Sequence, residues 1–280
     1  MKAAHGGTTL RLVTALAVIP VLLLLVWAPA LHYALVAAIA ALAAVGLREY
    51  YAMARGKQIE VESGAGVWCG ALVVLSAAFQ DADLVNLVLF LSFAGLSWLH
   101  ILHKRHSLAG IAATLFGLVY VGWIPAHFLL LHGGTLMGAG LVTLLLVANV
   151  FSDTGAYFVG RALGKHKLAP SVSPNKTWEG AIGGVLAALG GMALVHTLHH
   201  YVDWSALPGW SLPRYLVTGG VLAFAGQVGD LVESMLKRDS GVKDSGTLFP
   251  GHGGVLDRCD SILFTTPLLY YMVAFDRWPW

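Results

Sequence analysis

Polar and apolar residues along this chain fall in blocks rather than in alternation. Nine continuous apolar stretches stand out, at residues 10–29, 31–53, 64–80, 83–102, 108–131, 137–160, 179–199, 213–236 and 259–275. Each approaches the roughly 20 apolar residues a helix needs to cross hydrocarbon. In lipid only helices and closed barrels satisfy every backbone group, and barrel strands alternate with period two. The pattern therefore predicts an all-α polytopic membrane protein with about nine transmembrane helices. Polar punctuation agrees with the cuts: Ala28-Pro29-Ala30, Arg55-Gly56-Lys57, Lys104-Arg105 and His132-Gly133-Gly134 each end a stretch. The first stretch is too long for the apolar part of a cleavable signal and leads directly into the second, so it is read as a span.

Composition strengthens this reading. Of 280 residues, 57% are hydrophobic and 11% charged, against roughly 25% charged in a soluble domain. Such a chain cannot cover a globular surface with polar groups. The net charge of +2 says little, but its distribution orients the chain. With the N-terminus cytoplasmic and nine spans, fifteen of the seventeen Lys and Arg residues fall on or near the inside, and only Arg214 and Arg277 fall outside. That is the expected bias. The C-terminus then faces outward and ends in Trp278-Pro279-Trp280, an interfacial anchor. The expected setting is a bacterial inner membrane. The chain is read as one membrane domain, 1–280, in which 1–140 is mainly hydrophobic scaffold and 141–280 carries the chemistry at the cytoplasmic face.

That chemistry lies in three places. Asp153 interrupts an otherwise apolar helix, where an ionised carboxylate costs a few kcal/mol unless paired or metal-bound. A basic loop, Ser171 to Gly180, holds Ser173, Asn175, Lys176 and Thr177, a point charge and side chains suited to phosphate. The sharpest cluster spans Gly229 to Asp260. On a helix, Asp230, Glu233, Ser234 and Lys237 share one face. Asp257 and Asp260 are three residues apart at the start of the last span, so both sets can point into one cavity. Oxygen ligands at Asp230, Asp257 and Asp260 suit Mg²⁺, with Asp153 a further candidate. Lys237, Arg238, Lys243 and Arg258 would neutralise a polyphosphate. The Gly251-His252-Gly253-Gly254 turn would let backbone N–H groups approach phosphate oxygens.

The stretch from Ser234 to Asp260 resembles the signature of the phosphatidate cytidylyltransferases, or CDP-diacylglycerol synthases. The matching positions are Ser234, Lys237, Arg238, Lys243, Asp244, His252, Gly253, Gly254, Asp257, Arg258 and Asp260. Ser173 to Gly180 and the polar span around Asp153 are also similar to family segments. The first half agrees only as a hydrophobic scaffold. The resemblance implies a nucleotidyltransferase of phospholipid biosynthesis that moves CMP from CTP to phosphatidic acid, giving CDP-diacylglycerol and pyrophosphate. It implies a catalytic set of Asp230, Ser234, Lys237, Arg238, Asp257 and Asp260. Substrates would be held by Ser173, Asn175, Lys176, Lys237, Arg238, Lys243, Asp244, His252, Gly253, Gly254 and Arg258. Mg²⁺ is the implied cofactor, and Asp260 or Asp153 could serve a second, monovalent cation. The implied partners are CTP, phosphatidic acid and membrane lipid, with a homodimer as the suggested assembly and no nucleic acid.

Other readings fit less well. A CTP-dependent lipid-alcohol kinase would transfer the terminal phosphate, and the full signature argues against it. The Asp-Gly-x-x-Ala-Arg opening of a CDP-alcohol phosphatidyltransferase is absent. A cation transporter would place its acids near the midplane of broken helices, often in repeats; here they cluster at helix ends. His196, His199 and His200 share a helix face but are read as interfacial. Cys69 and Cys259 are read as small buried residues. Arg48 and Glu49 are read as a local pair or as a brace for the cytoplasmic face.

Overall fold

A computed structural model of the protein describes residues 20–202, 204–249 and 253–275. The described residues are helical almost throughout. Residues 20–27 are helical and lead through the turn Pro29–Leu31 into α1, His32–Gly56. There follow α2 (Ser63–Ser76), α3 (Ala82–Leu102), α4 (Leu108–Gly117), α5 (Ile124–His132) and α6 (Leu136–Leu163). A short hairpin, β1 (Lys167–Ala169) and β2 (Ser173–Thr177), precedes α7 (Trp178–Val202), α8 (Leu212–Asp239) and α9 (Leu256–Ala274). Six of these helical stretches are long and apolar enough to cross a membrane: Pro29–Gly56, Ala82–Leu102, Leu108–His132, Leu136–Leu163, Trp178–Val202 and Leu212–Asp239. The segment Ser63–Phe79 is apolar but shorter. The protein is an all-α polytopic membrane protein. Half of the first expected span, residues 10–19, and the Trp278–Trp280 anchor lie outside the described residues.

Local chemistry sets the helix limits. Asp81, Ser107, Thr135 and Thr177 each accept a backbone N–H from two or three residues on, at 2.9–3.1 Å. These acceptors satisfy otherwise orphaned N–H groups at helix starts. Gly133, at φ 55°, ends α5 in the left-handed conformation glycine adopts without penalty. Between α4 and α5 the stretch Leu118–Trp123 widens into a π-helix. Pro125 follows it, and its ring cannot sit over the carbonyl of residue 121 in a regular α-helix.

The chain forms two compact units. One gathers the residues up to Gly134 with Lys237–Cys259; the other gathers Thr135–Leu236 with the chain from Asp260 onward. In the first, buried Glu62 ties the α1–α2 connection to the end of α3 through His103 at 3.0 Å and Arg105 at 3.4 Å. Lys57 reaches Asp239 at 3.1 Å.

In the second unit, α6 and α7 pack through small residues. A Cβ at Gly184 would lie 2.7 Å from the Ser152 carbonyl, and one at Gly180 2.9 Å from the Ala156 carbonyl. Lipid offers no hydrophobic drive for helix pairing, so close backbone approach must supply the contact. Gly184→Val should therefore force the helices apart and destabilise the protein by about 1–3 kcal/mol. A thermal unfolding scan in detergent checks this, and an unchanged midpoint would refute the packing argument. Asn149, a polar residue one turn before Asp153, ties α6 to α9. Buried Asn149 donates to the Leu145 carbonyl and to Thr265 Oγ1, both at 3.0 Å. Cys69 and Cys259 are free and only half-buried, and His196 packs edge-on against Tyr215.

Candidate active site

A polar cavity of about 620 Å³ opens in the second unit, among α6, the hairpin, α7 and α8. Its charged lining comes from Asp153 and Arg161 on α6, Lys176 on β2 and Asp230 on α8, with Asn175 and Gln227 beside them. The basic loop read from Ser171 to Gly180 supplies one strand of a hairpin, which pairs Lys167 with Thr177 and Ala169 with Ser173. Its base is closed by Glu179, which accepts from the amides of Lys165 and His166 and from His166 Nδ1 at 2.6 Å. The hairpin holds Lys176 in place. Lys176 Nζ forms an ion pair with Asp230 Oδ2 at 2.5 Å, both side chains partly exposed. Ser234, one turn on, lies 3.3 Å from Asp230 Oδ1 and donates to it. Gln227 donates to the Ala181 carbonyl at 3.0 Å, which fixes its side chain at the cavity wall.

Asp260, one turn into α9, belongs to the same unit. A Cβ at Gly229 would stand 2.5 Å from the Asp260 carbonyl, so α8 and α9 cross beside Asp230. The absence of a side chain at Gly229 permits that approach.

The second cluster lies in the first unit and is built around two buried carboxylates. Asp257 Oδ1 accepts from Lys237 Nζ at 2.6 Å. Its Oδ2 accepts from the Ser245 amide at 2.8 Å, the Ser245 hydroxyl at 2.9 Å and the Gly254 amide at 2.8 Å. Burial alone would push the Asp257 carboxyl up. The bonds from Lys237, Gly254 and Ser245 outweigh it and hold the group below the usual carboxylate range. The second carboxylate is Glu49, on α1. Its Oε1 accepts from the Val255 amide at 3.0 Å and its Oε2 from the Leu256 amide at 3.1 Å, while Oε2, 3.0 Å from Ser245 Oγ, shares that single hydroxyl proton with Asp257. Glu49 thus caps the N-terminus of α9 with negative charge. A Cβ at Gly254 would run into both Glu49 Oε1 and Ser245 Oγ, and Gly253 sits at φ 83°. The glycine pair is demanded by the clamp: the amide of Gly254 is committed to Asp257.

The structure brings Asp153, Asn175, Lys176 and Asp230 onto one cavity wall, and Lys237, Gly254 and Asp257 into one buried knot. Ser173 pairs within the hairpin. Arg238, Lys243, Asp244 and Arg258 are exposed, and Arg238 donates to the Val242 carbonyl at 3.3 Å. His252 lies outside the described residues. Among the described residues no group of three or more His, Cys, Asp or Glu side chains is gathered to hold a metal. The cavity donors do fit Mg²⁺: they are oxygens only, from two carboxylates and two amides. Mg²⁺ commonly binds through one or two carboxylates plus substrate phosphates and water.

Sequence reasoning missed Ser245 and Gln227, and read Glu49 only as a local pair with Arg48 or a brace. It is the brace. The signal was present, because Glu49, like Asp153, is an acid in an apolar span. Glu49→Ala should leave the Val255 and Leu256 amides buried without their acceptor, at about 1–3 kcal/mol for each group left unsatisfied. Limited proteolysis should then cut the 240–256 loop faster than in wild type, with Glu49→Gln intermediate. Equal cleavage would show that the clamp does not hold the loop.

A multispan helical protein whose cavity pairs carboxylates with a phosphate-suited lysine is equipped to handle a charged phosphate compound at a membrane. The chain belongs to the cytidylyltransferase family, whose profile matches residues 9–276. It is 36% identical to a phosphatidate cytidylyltransferase of Synechocystis sp., over 85% of this chain and 87% of that one. It is 37% identical to that of Staphylococcus haemolyticus, over 81% of this chain and 85% of that one. With that of Brucella suis it shares 46% identity over 56% of each chain.

Proposed function

We propose that this protein is a phosphatidate cytidylyltransferase, which joins CTP and phosphatidic acid into CDP-diacylglycerol and releases pyrophosphate. The observation that carries the reading is the Lys176–Asp230 pair on the wall of the polar cavity. Its two charges balance each other, and a metal–nucleotide complex would take over both ends: the carboxylate would meet the cation and the ammonium a phosphate. Asp230 and Asp153 would hold Mg²⁺, with Asn175 and Gln227 supplying neutral oxygens. When bound, Mg²⁺ polarises the α-phosphoryl group of CTP and neutralises charge on the departing pyrophosphate.

The phosphate oxygen of phosphatidic acid attacks the α-phosphorus, the bond to the β-phosphate oxygen breaks, and pyrophosphate leaves. The attacking phosphate is already anionic near neutral pH, so no general base is required. Catalysis of this kind rests on positioning and charge neutralisation. Lys176 and Arg161 supply positive charge at the cavity, and Ser234 holds Asp230 in place. Lys237 and Asp257 keep the signature loop in one conformation. The positive-inside charge bias supports an inner-membrane location with the site on the cytoplasmic side.

The products test the reading. Purified protein given CTP, phosphatidic acid and Mg²⁺ should release pyrophosphate in step with CTP consumption, and only when the lipid is present. Release of CDP with phosphorylation of a lipid alcohol would instead make the protein a CTP-dependent kinase.

A further inference from the structure

The first unit holds a second cavity, of about 410 Å³, between α1 and α2. Arg48 and Arg55 line it from α1, with Ser63, Val67, Trp68 and Ala71 on the α2 side. The two arginines are seven residues apart, on one helix face and about 10 Å apart along the axis. No carboxylate lines this cavity among the described residues. Arg55 donates to Ser63 Oγ at 3.1 Å. Among the described residues Arg48 has no hydrogen-bond or ion-pair partner. Its neighbour Glu49 is committed to the loop on the other side. Arg48 nevertheless lies within Pro29–Gly56, a helical stretch long and apolar enough to cross a membrane. A guanidinium in such a segment is costly without a counter-charge. The remaining wall is apolar, and Trp68 is 75% exposed, as suits a side chain at the lipid interface.

We infer that this cavity seats an anionic phospholipid of the surrounding leaflet, its phosphate on Arg48 and Arg55 and an acyl chain along Val67, Trp68 and Ala71. Guanidinium forks match phosphate oxygens bidentately, and basic pockets between membrane helices suit lipid headgroups. The inference does not depend on the cytidylyl-transfer reading.

Native mass spectrometry of the full-length protein, incubated with phosphatidylglycerol, phosphatidic acid or phosphatidylcholine, tests it. Lys176→Met serves as the background, so that phosphate binding at the other cavity is weakened. Retention of phosphatidylglycerol and phosphatidic acid should exceed that of phosphatidylcholine at least tenfold. Arg48→Gln with Arg55→Gln should abolish the excess, and Arg48→Lys should weaken it. Phosphatidic acid retained without phosphatidylglycerol would still support the seat, and would restrict it to phosphate monoesters. Arg55→Gln alone alters an exposed side chain and keeps the test available if the double variant does not fold. Equal retention of all three lipids, or unchanged retention in the variants, would overturn the inference. So would conversion of a dimer to monomers with lipid binding intact, which would make this face a contact between copies.

Discussion

Asp230→Asn and Lys176→Met should each lower kcat/KM for cytidylyl transfer by about 10²–10³-fold, the scale seen when one preorganised electrostatic group is lost. Each should lower stability less than breaking a fully buried pair would, because both side chains keep partial access to solvent. The two side chains are 32% and 24% exposed. The charge swap separates catalysis from structure. Lys176→Asp combined with Asp230→Lys would restore an ion pair of opposite orientation and should remain inactive. Recovery of activity in the swap would mean that the pair only braces the hairpin against α8. Steady-state rates with a thermal scan on the same preparations decide between these outcomes.

Asp257→Asn should behave differently, losing activity and stability together. Its carboxylate and the Lys237 ammonium are 4% and 12% exposed, and the carboxylate also receives three bonds from Ser245 and Gly254. Removing one partner of a buried pair leaves the other charge uncompensated, at about 3–5 kcal/mol. An Asn can accept at only one side-chain atom, and its NH₂ would face donors. A large fall in the unfolding midpoint along with lost activity fits a positioning role. Lost activity at full stability would instead move Asp257 into direct contact with metal or substrate.

The helices were legible because their signal is redundant. The expected segment 83–102 is observed as Ala82–Leu102, and 213–236 as Leu212–Asp239. Length, hydropathy and polar punctuation such as Lys104-Arg105 all marked the same limits. The cavity was partly legible. Asp153, Lys176 and Asp230 were singled out for charge in an apolar or membrane-edge setting, and the fold places them on one wall. What could not be read was pairing at long range. The Glu49 to Ser245 bond joins residues 196 apart, and no local pattern announces it. The hairpin was hidden because Pro174 and Lys176 suggest a loop, while its register depends on the closing bonds to Glu179. The glycine turn was read as a phosphate cradle from composition alone. In the fold, Gly254 makes room for two carboxylates, a steric demand visible only once α1 is in place.

Purified protein in detergent, given phosphatidic acid, Mg²⁺ and CTP labelled on the cytosine, should transfer label into the organic phase. Chelation of the metal or the Asp230→Asn substitution should abolish that transfer. Label that stays in the aqueous phase while CTP is consumed would contradict cytidylyl transfer, and full activity of Asp230→Asn would remove the polar cavity from the chemistry.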